Sequence, residues 1–327
     1  MKEILQKLYE HQKLTRDEAK QVLTELAQGA FPAGQVASFV TVFQMRGIGL
    51  AELEGFREAL LDLCVPLDVG GRETLDIVGT GGDGKDTFNI STLAAVVVAG
   101  AGYKVTKHGN YGASSAVGSS NVLETLGYRF TNEADVLRRQ LDAANLCFLH
   151  APLFHPALKE VAAVRRELGI RTFFNLLGPL VNPVQPTHQL YGTSSAEVAR
   201  LYQYVMQGSG RRFAIVYALD GYDEISLTGR FKVLTNAGEM MLEPEDLGMA
   251  RLVQADLYGG GSAEEAAKIF MKVLHNEATA AQQAVVAVNA GMAIQVMKPE
   301  VSLFDCIEEA KESIESGRAL ENFRKVL

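Results

Sequence analysis

Residues 76–92 read Asp-Ile-Val-Gly-Thr-Gly-Gly-Asp-Gly-Lys-Asp-Thr-Phe-Asn-Ile-Ser-Thr, with four glycines between Gly79 and Gly84 followed by a hydroxyl-rich segment. Glycines leave backbone N–H groups open to approach and permit left-handed conformations. The apolar run Leu93 to Ala99 predicts a helix behind this loop, whose N-terminus would add unpaired donors and a positive dipole end. Such a cradle suits phosphate or pyrophosphate. Gly79, Gly84 and Lys85 also match the opening of a nucleotide-triphosphatase loop, but Asp86 stands where that motif needs a Ser or Thr on Mg²⁺. A carboxylate ~4 Å from a phosphate charge is repelled by about 4 kcal/mol at an effective dielectric near 20. The triphosphatase reading therefore ranks below other phosphate sites.

Three further segments could do chemistry. Lys107-His-Gly-Asn-Tyr-Gly-Ala-Ser-Ser115, with Ser119 and Ser120 beyond it, combines a cation, flexible glycines and hydroxyl donors. Alone it reads as a serine-rich turn as often as an anion site; paired with the first loop it suggests a ligand with phosphate at two places. Asp223-Glu224 follows the apolar run Phe213 to Leu219. Adjacent acids are usually a solvated turn, but beside a polyanion they make sense with a divalent cation between, and oxygen-only ligands favour Mg²⁺. Arg165 or Arg166 could clamp a carboxylate in bidentate fashion, although arginines on a helix surface usually do not. His108 is the one ring nitrogen near the loops, and a histidine bonded within its own loop is as good a reading of it as a catalytic role.

These segments need a scaffold. Residues 1–65 read as helical: Ala19, Val22, Leu23 and Leu26 share one face, Thr15 and Glu18 form a capping box, and Gly29 stops the helix. Helices over 33–46 and 51–64 follow, and Asp68 to Arg72 reads as a linker. Strands are then expected at 74–78, 103–106, 146–149, 188–191 and 212–217. Helices are expected near 91–99, 119–126, 133–144, 156–168 and 196–206. That alternation predicts an α/β domain with a mostly parallel sheet flanked by helices, whose ligands bind beyond the strands' carboxyl ends. A hairpin over 225–243 and three helices near 263–275, 278–297 and 302–316 complete the chain. The expected domains are 1–66, joined in space by about 165–185, and 72–327.

Composition narrows the function classes. A net charge of −8 argues against broad nucleic-acid or anionic-membrane binding. Three scattered cysteines suit a reducing cytosol and offer no zinc spacing. The start, Met1-Lys-Glu-Ile4, carries no signal-peptide pattern. The most apolar helix, 278–297, holds Gln282, Gln283, Asn289 and Gln295, so a buried helix is expected rather than a membrane span.

Gly79-Thr-Gly-Gly-Asp83, Asn89-Ile-Ser-Thr92, Lys107-His-Gly-Asn110, His155-Pro156, Arg165-Arg-Glu-Leu-Gly169, Asn175-Leu-Leu-Gly-Pro179 and Asp223-Glu224 together resemble the anthranilate phosphoribosyltransferase family, in family order over most of the chain. The resemblance implies a cytoplasmic homodimer, each subunit with a small helical domain, a larger α/β domain and an active site at the hinge between them. It implies transfer of a phosphoribosyl group from phosphoribosyl pyrophosphate to the amino nitrogen of anthranilate, in tryptophan biosynthesis. By position, Gly79, Gly82, Asp83, Thr87, Asn89, Ile90, Ser91 and Thr92 would hold phosphoribosyl pyrophosphate. Lys107, His108, Gly109, Asn110, Tyr111, Gly112, Ala113, Ser114, Ser115 and Ser119 would close over it. Ser91, Asp223 and Glu224 would serve two Mg²⁺ per subunit, and Gly79, Asn110 and Arg165 the anthranilate. Many members carry Arg where this chain has Tyr111, which can stack or donate one hydrogen bond but brings no permanent charge. Two alternatives are a pyrimidine nucleoside phosphorylase, whose Lys-His-Ser-Thr-Gly-Gly pattern is absent, and a catalytically silent relative that binds nucleic acid, which the charge disfavours.

Overall fold

The protein is described here from a computed structural model covering residues 1–112 and 117–327. The chain forms two compact units, Met1–Leu67 with Ala151–Gln185, and Asp68–His150 with Pro186–Leu327. The second stretch of the first unit therefore begins at 151, earlier than the 165 expected. Hydrogen bonding gives the reason: Val65 N–H donates to the Phe154 carbonyl at 2.8 Å, and the His155 side chain donates from Nε2 to the Val181 carbonyl at 2.8 Å.

The first unit is helical, with α1 (Lys2–Tyr9), α2 (Arg16–Ala27), α3 (Ala33–Arg46), α4 (Leu50–Leu63), α8 (Ala151–Phe154), α9 (Lys159–Leu168) and α10 (Phe174–Leu177). α2 starts where its sequence says it should, because Thr15 Oγ1 accepts the Glu18 N–H at 3.2 Å while the Glu18 carboxylate accepts the Thr15 N–H at 2.8 Å. Its core is aromatic: Phe39, Phe43 and Phe56 meet Phe173 at centroid distances between 4.9 and 6.1 Å. The fully buried Glu52 is held by Arg46 and by the N–H groups of Leu14 and Gly49. Burial pushes its pKa up, but these bonds outweigh burial and keep it below the usual carboxylate range.

The second unit carries a seven-stranded sheet in the order β3-β2-β1-β4-β5-β6-β7. The strands are β1 (Leu75–Gly79), β2 (Val105–Gly109), β3 (Leu146–His150), β4 (His188–Gly192), β5 (Arg212–Ala218), β6 (Phe231–Thr235) and β7 (Gly238–Leu242). The first five in space are parallel and the last two antiparallel, giving the mostly parallel sheet expected. Helices α5 (Ile90–Gly100), α6 (Ser119–Thr125), α7 (Ala134–Ala144), α11 (Ala196–Gln207), α12 (Ala263–Leu274), α13 (Ala280–Met297), α14 (Leu303–Glu315) and α15 (Arg318–Arg324) complete it. α5 and the central part of α13 are buried, which accounts for their nearly unbroken apolar sequence. Among the described residues, no helix is long and apolar enough to cross a membrane.

Three expectations are corrected. β2 starts two residues later and ends three later than the expected 103–106, because Lys107 and His108 are buried strand residues rather than loop. The region expected as one helix over 156–168 opens with a 3₁₀ turn, Pro156–Leu158, before α9. A fourth closing helix, α15, restarts the chain after Gly317 in a left-handed conformation, φ 77°.

Candidate active site

Strand order reverses between β1 and β4, and their last residues, Gly79 and Gly192, are register partners. Ligands of such sheets bind beyond the carboxyl ends of strands at this switch point. A cleft of ≈ 210 Å³ opens there, lined by the loops after β1, β2 and β5. From the first loop it takes Gly79, Gly82, Asp83, Thr87, Asn89, Ser91 and Thr92. Left-handed backbone at Gly81 (φ 66°), Gly82 (φ 70°), Gly84 (φ 72°) and Asp86 (φ 51°) folds this loop back on itself. Its far end is pinned where Phe88 N–H donates to the Leu257 carbonyl at 3.0 Å and Gly259 N–H to the Asp86 carbonyl at 2.9 Å. Ile90 does not line the cleft: its side chain is fully buried in the core and its N–H donates to the Phe88 carbonyl.

The acids arrive from the turn after β5. Asp223 Oδ2 accepts the Gly81 N–H at 2.6 Å, and Glu224 Oε1 accepts the Ser91 N–H at 3.2 Å. A donor at the start of α5 is thus engaged by a carboxylate of the chain itself, where the sequence suggested it would face a phosphate. Glycines make room for the acids: a Cβ at Gly79 would run into the Asp223 carboxylate, and one at Gly192 into the Asp223 carbonyl.

Glu224 is half-buried, yet its Oε2 is shut off from solvent and, among the described residues, has no hydrogen-bond partner. Burial, then the charges of Asp223 and Asp83, push its pKa well above the usual carboxylate range. An orphaned carboxylate oxygen beside a second acid fits a hard divalent cation, which prefers oxygen ligands. Among the described residues, no group of three or more His, Cys, Asp or Glu forms a preset cage. Mg²⁺ needs none, since it is commonly held by one or two carboxylates together with substrate phosphates.

The second loop contributes Lys107, His108, Gly109, Asn110, Tyr111, Gly112 and Ser119 to the lining. Lys107 is buried, and its Nζ donates to the Ile77 carbonyl at 2.5 Å and to Ser91 Oγ at 3.4 Å. Burial lowers its pKa, while Asp76, Glu224 and Asp223 oppose that. His108 donates its backbone N–H to Asp76 Oδ1 at 3.2 Å. The Asn110 carbonyl accepts from Ser119 Oγ and from the Ser120 N–H, and Asn121 Oδ1 accepts from both Gly112 and Gly118. Tyr111 turns its hydroxyl to Glu124 Oε1 at 2.8 Å and sets its ring edge-on to His150, centroids 4.7 Å apart. Ala113, Ser114 and Ser115 lie outside the described residues.

Arg165 belongs to the first unit, on α9. Its guanidinium stacks 5.3 Å from the centre of the Phe174 ring, burial lowers its pKa, and no carboxylate partners it among the described residues. Arg166 is exposed. Sequence reasoning gave no role to Asp76, Gly192 or Asn121. A charge inside the apolar strand Leu75-Asp76-Ile77-Val78 was a usable signal for the first; the other two act through partners that spacing does not reveal.

Two family models match: the helical bundle domain of a glycosyl transferase family over residues 2–64, and the α/β domain of that family over residues 71–320. The anthranilate phosphoribosyltransferase of Cytophaga hutchinsonii is 58% identical, covering 100% of both chains, and that of Bacteroides thetaiotaomicron is 56% identical over 100% of this chain and 98% of the relative. The crystal structure of the Thermus thermophilus enzyme superposes with a TM-score of 0.92 at 35% identity, covering 98% of this chain and 97% of the other. The Saccharomyces cerevisiae enzyme in complex with PRPP and Mg superposes with a TM-score of 0.90 at 28% identity, covering 98% and 94%. With full-length identity above half and both domain models matched in order, the chain belongs to the anthranilate phosphoribosyltransferase family.

Proposed function

We propose that the protein transfers the 5-phosphoribosyl group of phosphoribosyl pyrophosphate to the amino nitrogen of anthranilate, releasing pyrophosphate, as a step of tryptophan biosynthesis. The observation that carries this reading is the meeting of the Gly79–Asp83 loop, the Lys107–Gly112 segment and the Asp223–Glu224 pair at one cleft. The yeast relative's complexes with PRPP and Mg, and with 4-fluoroanthranilate, support the choice of substrates and metal.

In this reading the loop N–H groups after β1 hold the pyrophosphate end of the donor, and the Asn110–Gly112 and Ser119 region holds its other phosphate. The C1–O bond breaks with its electron pair leaving on pyrophosphate, and the C1–N bond forms from the anthranilate lone pair. An aryl amine attacks in its neutral form, and the proton it sheds after the new bond has formed passes to solvent. No general base is assigned, and His108 stays outside the mechanism. Help is needed at the leaving group, where preorganised donors meet charge as it develops. Asp223, Glu224 and Ser91 would hold two Mg²⁺ per subunit, which when bound supply positive charge against the departing pyrophosphate. Lys107, fixed beneath the floor by the Ile77 carbonyl, orients the Ser91 hydroxyl. Asn110 and Gly79 would contact anthranilate, and the guanidinium of Arg165 would take its carboxylate.

The proposal extends to a homodimer working in the cytoplasm. Cys64, Cys147 and Cys306 are free thiols, which suits a reducing compartment; sedimentation velocity tests the dimer. The activity is tested by following anthranilate fluorescence with phosphoribosyl pyrophosphate and Mg²⁺, using orotate, nicotinate and thymidine as controls. Loss of fluorescence with anthranilate alone is expected. Turnover confined to thymidine and inorganic phosphate would replace this reading with a nucleoside phosphorylase.

A further inference from the structure

α13 is buried along its central turns, and its sequence from Val285 to Ile294 is apolar except for Asn289. Asn289 is 3% exposed and does not line the cleft. A buried amide with no partner is costly, but this one is fully engaged. Its Oδ1 accepts the Ile225 N–H at 3.1 Å, and its Nδ2 donates to the Ile225 carbonyl at 2.9 Å and to the Val285 carbonyl at 2.8 Å. The side chain thus pairs with both polar groups of one peptide residue, as a neighbouring strand would. Ile225 lies in no strand, and it directly follows Glu224.

The consequence falls on the acids. Residues 219–230 leave the sheet after β5 and return to it at β6; Ala218 N–H donates to the Tyr222 carbonyl and Leu219 N–H to the Arg230 carbonyl, but no strand ladder runs through Asp223 to Ile225. Asp223 is tied to Gly81, Glu224 to Ser91, and the residue after them to Asn289. The first two ties join the acids to the cleft's own loop and helix. Asn289 supplies the anchor from behind, from a helix packed against α5 and the sheet. We infer that Asn289 is a positioning residue for the acidic pair: by clamping Ile225 it sets the height and direction at which Glu224 presents its carboxylate to a divalent cation. This rests on the metal role proposed above for Asp223 and Glu224. It also gives the amide a purpose that apolar packing does not, since a leucine there would leave the N–H and carbonyl of the buried Ile225 without this partner.

The test is Mn²⁺ binding followed by electron paramagnetic resonance, with phosphoribosyl pyrophosphate present, in wild type, Asn289→Leu, Asn289→Asp and Glu224→Gln. Asn289→Leu is expected to weaken Mn²⁺ binding by about tenfold or more, the usual size for losing a group that orients a metal ligand. Asn289→Asp keeps an acceptor for the Ile225 N–H and is expected to lose less. The KM for anthranilate should stay within about twofold in both. Mn²⁺ affinity within twofold of wild type in a folded Asn289→Leu protein would overturn the inference and leave Asn289 a core amide. Should Asn289→Leu fail to fold, Asn289→Ala, which removes every bond to Ile225 without adding volume, decides by the same criterion. Unchanged Mn²⁺ binding in Glu224→Gln would instead remove the metal role itself, an outcome that the Asn289 variants cannot imitate.

Discussion

Gly192→Ala puts a single methyl group where the structure has least room for one. Gly192 ends β4 opposite Gly79, and the Cβ of an alanine there would overlap the carbonyl oxygen of Asp223. A backbone carbonyl cannot rotate aside as a side chain would, so the Asp223–Glu224 segment must retreat by more than about 1 Å to restore normal contact. The strain of such overpacking is about 1–3 kcal/mol. The functional loss should be larger than that suggests, because a displacement near 1 Å at reacting groups costs on the order of 100-fold. Gly81 N–H and Ser91 N–H would lose the carboxylates they now hold at 2.6 and 3.2 Å. The expected result is a fall of about 100-fold in kcat/KM for phosphoribosyl pyrophosphate, with a raised Mg²⁺ requirement and little change in the KM for anthranilate. Steady-state fluorescence kinetics at varied Mg²⁺ measure all three quantities. A folded Gly192→Ala enzyme with kcat/KM within about threefold of wild type would refute the claim that this glycine makes room for the acids.

Other perturbations separate the remaining roles. Arg165→Ala should raise the KM for anthranilate by about ten- to 100-fold, the size of a lost charge-assisted bond, and Arg165→Lys should recover little because an ammonium lacks the planar fork; a normal KM in Arg165→Ala would remove Arg165 from the acceptor site. Tyr111→Phe should leave the KM for phosphoribosyl pyrophosphate within about threefold, since the hydroxyl is bonded to Glu124 on the protein surface, and a tenfold rise would show that the phenol handles phosphate. His155 is buried, and burial lowers its pKa from 6.5 to about 4. Its protonation therefore favours the unfolded chain, and its contribution to stability, present above pH 6.5, should be lost as pH falls towards 4, by up to about 3 kcal/mol. Urea midpoints across that window should fall less steeply with acid in His155→Gln than in wild type; parallel slopes would count against the assignment.

What could be read in the sequence was what neighbours along the chain determine. Thr15 and Glu18 cap α2 through bonds three residues apart, and the four glycines after β1 announce a loop whose left-handed positions the structure contains. The alternation of strand and helix gave the parallel sheet, and with it the end at which a ligand should sit. Where β2 ends was misjudged for a physical reason. Lys107 and His108 look like loop residues by composition, yet they are buried on the strand, where the Ile77 carbonyl takes up the Lys107 ammonium and the Asp76 carboxylate accepts the His108 backbone N–H. No local pattern announces a partner thirty residues away.

The residues that shape the site were hidden for the same reason, in stronger form. Asp223 and Glu224 are joined to Gly81 and Ser91 across separations of 142 and 133 residues, and Ile225 to Asn289 across 64. Gly192 shows no sign of function in the sequence, where it simply follows the strand expected at 188–191. Its meaning appears only once β4 is paired with β1 and the turn after β5 is laid across both. Chemistry-bearing side chains therefore betray themselves by type, as the acidic pair did, while the residues that aim them are ordinary in type and unusual only in company. For an acid beside a polyphosphate that distinction matters, because its charge is useful only where a cation can bridge it to the ligand and is repulsive elsewhere. The ties from Gly81, Ser91 and Asn289 are what turn two adjacent acids from a solvated turn into a candidate cation site.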